Sequence, residues 1–232
     1  MSDSTLSPEA LRRNTQFYDR WRRAYDLFTR RLLTLSGPRS AAARALAIED
    51  GASVVEFGCG TGPNLPFVLP AVTAHPNSQY VGVDVAGDAL SLAADRTRSN
   101  RWSGASFVRG DATDPPVRGA IDAILSSFAI TIFPDPAAVL DRWLALLADG
   151  GRLVLLNAHP SRGPYRHALN PWFNLFLLVA NPIDRRTVVH EPPWDQLTER
   201  IEEIHRVLSA RTSRMRREQF FGGLVSLTVA ER

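Results

Sequence analysis

Apolar positions along the chain switch between two periods. From Glu9 to about Leu35, Leu11, Phe17, Trp21, Tyr25 and Phe28 recur at spacings near three and four with arginines between them, which predicts an amphipathic helix. Ser36-Gly37-Pro38 is expected to break it, and the alanine-rich stretch Arg39 to Ile48 reads as a second helix. Short apolar runs then alternate with helical patterns. Strands are predicted at Ser53–Phe57, Gln79–Asp84, Ala105–Arg109, Ile121–Ser126 and Arg152–Asn157. Helices are predicted at Pro63–Ala74, Asp88–Ser99 and Pro136–Leu147, the last closed by Asp149-Gly150-Gly151. Beyond a further helix at Gln196–Ile204, a sixth strand is expected at Arg206–Ser213 and a last one at Leu224–Ala230.

Strands alternating with helices predict an α/β fold whose mostly parallel sheet carries helices on both faces. Four segments follow: an N-terminal helical segment (1–50), a core (51–157), an insertion or cap over the sheet edge (158–195) and the end of the sheet (196–232). The cap stands out because prolines, aromatics and His159, His167 and His190 crowd there. Ligands of such sheets bind outside the carboxyl ends of the strands, so the residues just past each strand are the ones to read for chemistry.

Composition narrows the picture. The pI is about 9.6, yet the formal net charge is only +3, and every one of the 27 basic residues is arginine. No basic stretch interleaved with aromatics marks a nucleic-acid partner. The single Cys59 allows no intrachain disulfide, in keeping with a cytoplasmic protein. The polar start, Met1 to Ala10, lacks the apolar core of a signal peptide. The longest apolar run, Trp172 to Ala180, is too short to span a membrane. Flanked by Arg162, Arg166, Arg185 and Arg186, residues 168–180 can still rest on a membrane surface.

The strongest chemical signal is the segment from Glu56 through Gly58, Cys59, Gly60 and Gly62 to Asn64. Glycines let a backbone turn sharply and approach a ligand. A dinucleotide loop wants Gly-x-Gly-x-x-Gly, and here Pro63 occupies the third-glycine slot. No Gly-Lys-Ser/Thr follows, which excludes a P-loop.

The segment resembles motif I of the class I S-adenosylmethionine-dependent methyltransferases. That resemblance implies a seven-stranded Rossmann-like sheet with N-terminal helices. It also implies S-adenosylmethionine as cofactor, its methionine part wrapped by the loop and its amino group placed by Glu56. Asp84, with Val85 beside it, would take the ribose hydroxyls, and Asp111 with Ala112 the adenine. Ser126 and Ser127 would line the floor near the sulfonium. Tyr18-Asp19 and Tyr25-Asp26 resemble the opening segment of quinone and lipid methyltransferases, where a tyrosine closes over the cofactor. Gly222-Gly223-Leu224-Val225 is similar to a segment of ubiquinone and menaquinone methyltransferases. Ser126-Ser-Phe-Ala-Ile130 lacks the Asn/Asp-Pro-Pro-aromatic motif of the amino-type DNA enzymes.

The implied activity is methyl transfer by in-line displacement to a small acceptor in a monomer or homodimer. A wall of Trp172, Phe173, Leu175, Phe176 and Leu177 suggests an apolar acceptor: a quinone, a lipid or a secondary-metabolite precursor. His159 and Tyr165 are the candidate bases. The histidines are too scattered for a zinc site, so no metal is expected. A non-catalytic binding protein, acting as sensor or scaffold, is the alternative.

Overall fold

The computed structural model describes residues 35–180 and 193–232, and Pro38–Arg232 forms one compact unit. The helix expected at Glu9–Leu35, with Tyr18 and Tyr25, lies outside the described residues. The elements are α1 (Ser36–Ala45), β1 (Ser53–Phe57), α2 (Leu65–Ala74), β2 (Gln79–Asp84), α3 (Gly87–Ser99), β3 (Ala105–Arg109) and β4 (Ile121–Ser127). They continue with α4 (Pro136–Leu146), β5 (Leu147–Ala158), α5 (Arg166–Ala180), α6 (Pro193–Arg211), β6 (Arg214–Phe220) and β7 (Val225–Glu231). The strands form one sheet in the order β3-β2-β1-β4-β5-β7-β6, parallel except for β7, which runs antiparallel to both neighbours. This is the seven-stranded Rossmann-like α/β architecture.

Both faces of the central strands are buried. On one face Val55, Phe57, Val83, Ile124, Leu153, Leu155 and Ala230 pack with Leu140 and Trp143 of α4 and with Ile201, Ile204 and Leu208 of α6. The alternate residues Val54, Tyr80, Leu125, Val154 and Leu156 are buried as well. A parallel sheet covered on both sides reads as continuous apolar runs, which is why these strands were visible in the sequence.

Three expectations need correction. Ser36-Gly37-Pro38 is the first turn of α1, so the helix read from Arg39 begins three residues earlier. Proline is tolerated there because the first amides of a helix have no intrahelical acceptor. The strand expected at Arg206–Ser213 is the end of helix α6, and β6 follows it. Arg206 to Arg211 continues a 3.6-residue stripe through Ile201, Ile204 and Leu208, and those core contacts decide for helix. Asp149-Gly150-Gly151 does not separate α4 from a strand at Arg152. It forms an irregularity within β5, where the register shifts from Ile121 opposite Leu147 to Ala123 opposite Arg152.

Trp143 ties the core to the carboxyl edge of the sheet. Its ring stacks on Phe57 with centroids 4.7 Å apart, and Nε1–H donates to the Ala112 carbonyl at 2.8 Å. Trp143→Ala is expected to cost about 3–5 kcal/mol, the usual loss for a buried aromatic, read as a lower midpoint in urea unfolding.

Candidate active site

The parallel strands β1 to β5 all end at one edge, and the segments that follow them meet there. Past β1, Gly58 has φ +72° and Gly62 φ +73°, in the left-handed region that glycine adopts without strain. A Cβ at Gly58 would meet the Ala129 Cβ at 2.7 Å, and one at Gly62 would clash with the Leu65 side chain. The loop therefore fits only as backbone. A Cβ at Gly60, by contrast, would meet nothing closer than Asp84 Oδ2 at 4.0 Å. That leaves an open cradle beside a carboxylate.

Asp84 braces this loop. Its Oδ2 accepts from the Gly60 amide at 2.8 Å and its Oδ1 from the Ala86 amide at 2.9 Å. A carboxylate has about four acceptor positions, so further hydroxyl donors can still be bound. Val85 follows, its carbonyl accepting from Arg109 Nε at 3.1 Å. Past β3, Asp111 Oδ1 accepts from the Thr113 amide at 2.8 Å, and Ala112 is buried beneath it with its carbonyl bound to Trp143.

Asn64 occupies the N-cap position of α2 but does not cap the helix. Its Nδ2 donates instead to Glu56 Oε1 at 2.7 Å and to Ser127 Oγ at 2.8 Å, while Oδ1 accepts from Arg39 Nη1 at 2.6 Å. Arginine can only donate, which fixes the orientation of the amide. The Arg39 guanidinium lies 5.6 Å from the ring centroid of Phe128. Phe128 itself has φ +58°, a strained conformation for a bulky residue, and it follows β4 directly.

Glu56 is fully buried and also accepts from the Tyr80 hydroxyl at 2.6 Å. Burial pushes its carboxyl up to about 7, against the opposing pull of Tyr80, Asn64 and Arg39. The Cys59 thiol is pushed up too, chiefly by burial, so it stays a neutral packing group.

The sequence-predicted residues divide as follows. Glu56, Gly58, Cys59, Gly60, Gly62 and Asn64 form one loop at the end of β1. Ser127 joins it through Asn64, and Asp84 through Gly60. Ser126 is fully buried and faces away from this loop, on the α4/α6 side of the sheet, with its Oγ unpartnered among the described residues. His159 is buried past β5. Tyr165 stands 67% exposed. Trp172 and Leu175 of α5 are exposed, whereas Phe173 is buried. The side chain of Phe176 lies outside the described residues. Among the described residues no group of three or more His, Cys, Asp and Glu is placed to hold a metal ion.

Sequence reasoning missed a second cluster. A half-open cavity of about 510 Å³ lies between α6 and strands β6 and β7, beside His159. His205 of α6 and Arg217 of β6 line it, and neither carries any local motif. His205 Nδ1 accepts from Arg217 Nη1 at 3.1 Å, so its proton sits on Nε2 and points to Thr228 Oγ1 at 3.2 Å. Burial holds His205 down to about 4 and lowers His159 as well, so both imidazoles are neutral.

Residues 55–153 match a family model described as a methyltransferase domain. A nocamycin O-methyltransferase of Saccharothrix syringae is 31% identical over 61% of this chain and 47% of its own length. A demethylmenaquinone methyltransferase of Lactococcus lactis is 26% identical over 53% of this chain and 49% of its own. This chain therefore spans about half the length of either relative. An O-methyltransferase family protein from Burkholderia thailandensis has the same fold, with a TM-score of 0.64 at 18% identity over 94% of this chain and 62% of that one.

The buried Glu56 gives a pH signature. The folded state keeps this proton to about pH 7, whereas the unfolded chain releases it near 4.5. The stability this group contributes is full below the lower value and is lost as pH rises through the upper one. The two histidines act in the opposite sense, in acid. The difference between wild type and Glu56→Gln isolates the carboxyl. Between pH 5 and 8 the wild type is expected to lose stability, relative to the variant, on the order of a few kcal/mol in thermal unfolding.

Proposed function

We propose that this chain, whose residues 55–153 match a methyltransferase domain model, is a class I S-adenosylmethionine-dependent methyltransferase that transfers the methyl group of this cofactor to a small molecule held at the carboxyl ends of β4 and β5. The observation that carries the reading is the glycine loop pinned between Asp84 and the Glu56–Asn64 pair, with open space in front of Gly60. When bound, the cofactor supplies an electrophilic methyl on a sulfonium, which an acceptor attacks in line as the carbon–sulfur bond breaks.

The chain's own groups have separable tasks. Asp84 accepts from the ribose hydroxyls with the lone pairs its two backbone bonds leave over. Glu56 attracts the cofactor's ammonium. Burial raises its affinity for a proton, and a positive charge placed beside it would favour the ionised form. Asp111 and Ala112 would hold the adenine, and Ser127, bonded to Asn64, would line the methionine end of the site.

His159 is the base. Its Nδ1–H donates to the Pro160 carbonyl at 2.9 Å, which leaves the lone pair on Nε2. A lowered proton affinity keeps that lone pair available at neutral pH. It receives the proton that a hydroxyl acceptor sheds. One relative is named for transfer to oxygen, which supports this assignment. Tyr165, two-thirds exposed, is the weaker candidate.

An apolar acceptor would lie against α5, where Trp172 and Leu175 are exposed. The same two residues, with Arg166 at the start of the helix, would carry any contact with a membrane surface. No helix of the described residues is long and apolar enough to cross a membrane. Co-flotation with anionic vesicles at low salt is expected, and Trp172→Glu should abolish it.

Calorimetric titration with S-adenosylmethionine should give a single site that Asp84→Ala weakens at least about tenfold, or 1.4 kcal/mol. Methylated product should then form from phenolic acceptors, and His159→Gln should cut kcat by roughly 10²-fold or more with the cofactor affinity unchanged. Cofactor binding without turnover on any acceptor would instead mark a sensor or scaffold.

A further inference from the structure

From the cavity between α6, β6 and β7 we infer that the acceptor is a hydroxyl-bearing organic anion, its acidic group held by Arg217 at the cavity mouth and a neutral polar group by Ser226 within. This inference rests on the methyltransferase reading above and names the substrate class of the same site.

The floor gives the first argument. Asn157 of β5 lies directly opposite Ser226 of β7, so their side chains share a face of the sheet. Ser126 of β4 pairs with Leu155, two residues before Asn157, and shares that face. All three residues are buried. The hydroxyls of Ser126 and Ser226 and both amide atoms of Asn157 have no hydrogen-bond partner among the described residues. Each such group is destabilising when left unmet, and an apolar residue of similar size would avoid the cost. They lie on one face of three adjacent strands, with Ser126 offset by two residues from the Asn157–Ser226 pair. Ser126 is next to the Ser127 that binds Asn64 of the cofactor loop. Ser226 opens into the cavity. Neutral donors and acceptors of this kind recognise hydroxyl and carbonyl groups, not a hydrocarbon.

Charge at the mouth gives the second argument. Arg162 is paired with Glu202 of α6. Arg217 bonds only the neutral His205 ring and has no carboxylate partner among the described residues. With His159 and His205 uncharged, the cavity carries two guanidiniums against one carboxylate. That balance favours an anion. The volume of about 510 Å³ suits a small aromatic or aliphatic acid.

The full chain, with and without saturating S-adenosylhomocysteine, would be titrated with 4-hydroxybenzoate and with its neutral methyl ester. The acid is expected to bind at least about tenfold more tightly than the ester, and Arg217→Gln to remove that preference while leaving S-adenosylhomocysteine affinity within about twofold. Ser226→Ala should weaken acid binding while its melting temperature stays level or rises, because an unmet hydroxyl is removed. Equal binding of acid and ester, an acid preference that survives Arg217→Gln, or no acid binding below about 10 mM would overturn the inference. So would a naphthoquinol that binds more tightly than the acid. A loss of stability in Ser226→Ala with acid binding intact would overturn it as well. Failure of S-adenosylhomocysteine to bind would count against the methyltransferase reading instead, and the titrations without it still decide the anion preference.

Discussion

The amide of Asn64 is the joint on which the site depends. It binds a carboxylate from β1, a hydroxyl from β4 and a guanidinium from α1, three elements that no stretch of local sequence brings together. All three partners lie at the carboxyl edge of the sheet, where the backbone is least constrained by ladder hydrogen bonds. An asparagine at an N-cap normally stabilises its helix by about 1 kcal/mol by bonding the first amides. Here that contribution is forgone, and the side chain fixes the relation of β1 to β4 instead. The glycine loop is then held at both ends, by Asn64 on one side and by Asp84 at Gly60 on the other.

The same joint explains why an ionisable group can sit in the core without a formal ion pair. Glu56 receives two neutral hydrogen bonds, one of them from the Asn64 amide that also binds Arg39. Burial therefore wins, and the carboxyl holds its proton to about neutral pH. Such a group is poised: a cation arriving at the loop converts it from a desolvated liability to a counter-ion. The strained Phe128 belongs to the same economy of construction. Its left-handed backbone turns the chain away from β4 while its amide still bonds the Leu156 carbonyl at 2.7 Å.

Much of this was legible in the sequence because the central strands are buried on both faces and read as apolar runs. The glycine spacing after Glu56, and the acidic residues at the end of β2 and just past β3, were legible for a different reason: each sits at or just past the carboxyl end of a strand, so a one-dimensional rule finds it. The far side of the sheet was not. In β6, Arg214, Arg216, Arg217, Glu218 and Gln219 are exposed, so this edge strand shows neither alternation nor an apolar run. The last turns of α6 were mistaken for a strand because the stripe that identifies them, Ile201, Ile204 and Leu208, extends from a helix whose start lay in the presumed cap. His205, Arg217 and Ser226 meet only because β7 runs back antiparallel beside β5, a pairing without any local signal.

That reversal of β7 also decides what the acceptor end of the site can be. In the parallel part of the sheet the strand ends are followed by turns, and polar groups there can reach solvent or a ligand from loops. Where β7 pairs with β5, the strand start meets the strand end, and Ser226 and Asn157 face each other inside regular sheet. Backbone hydrogen bonds are spent on the ladder, so the side chains must find partners elsewhere. α6 covers the same face with Ile201 and His205, and His205 turns to Thr228, one pleat further along β7. A fully apolar packing of this corner would have been more stable on its own. The retention of three unmet polar side chains on this face, with Ser226 sharing a cavity with an arginine that has no carboxylate partner among the described residues, is a cost that folding alone does not explain and that a polar, negatively charged ligand would offset.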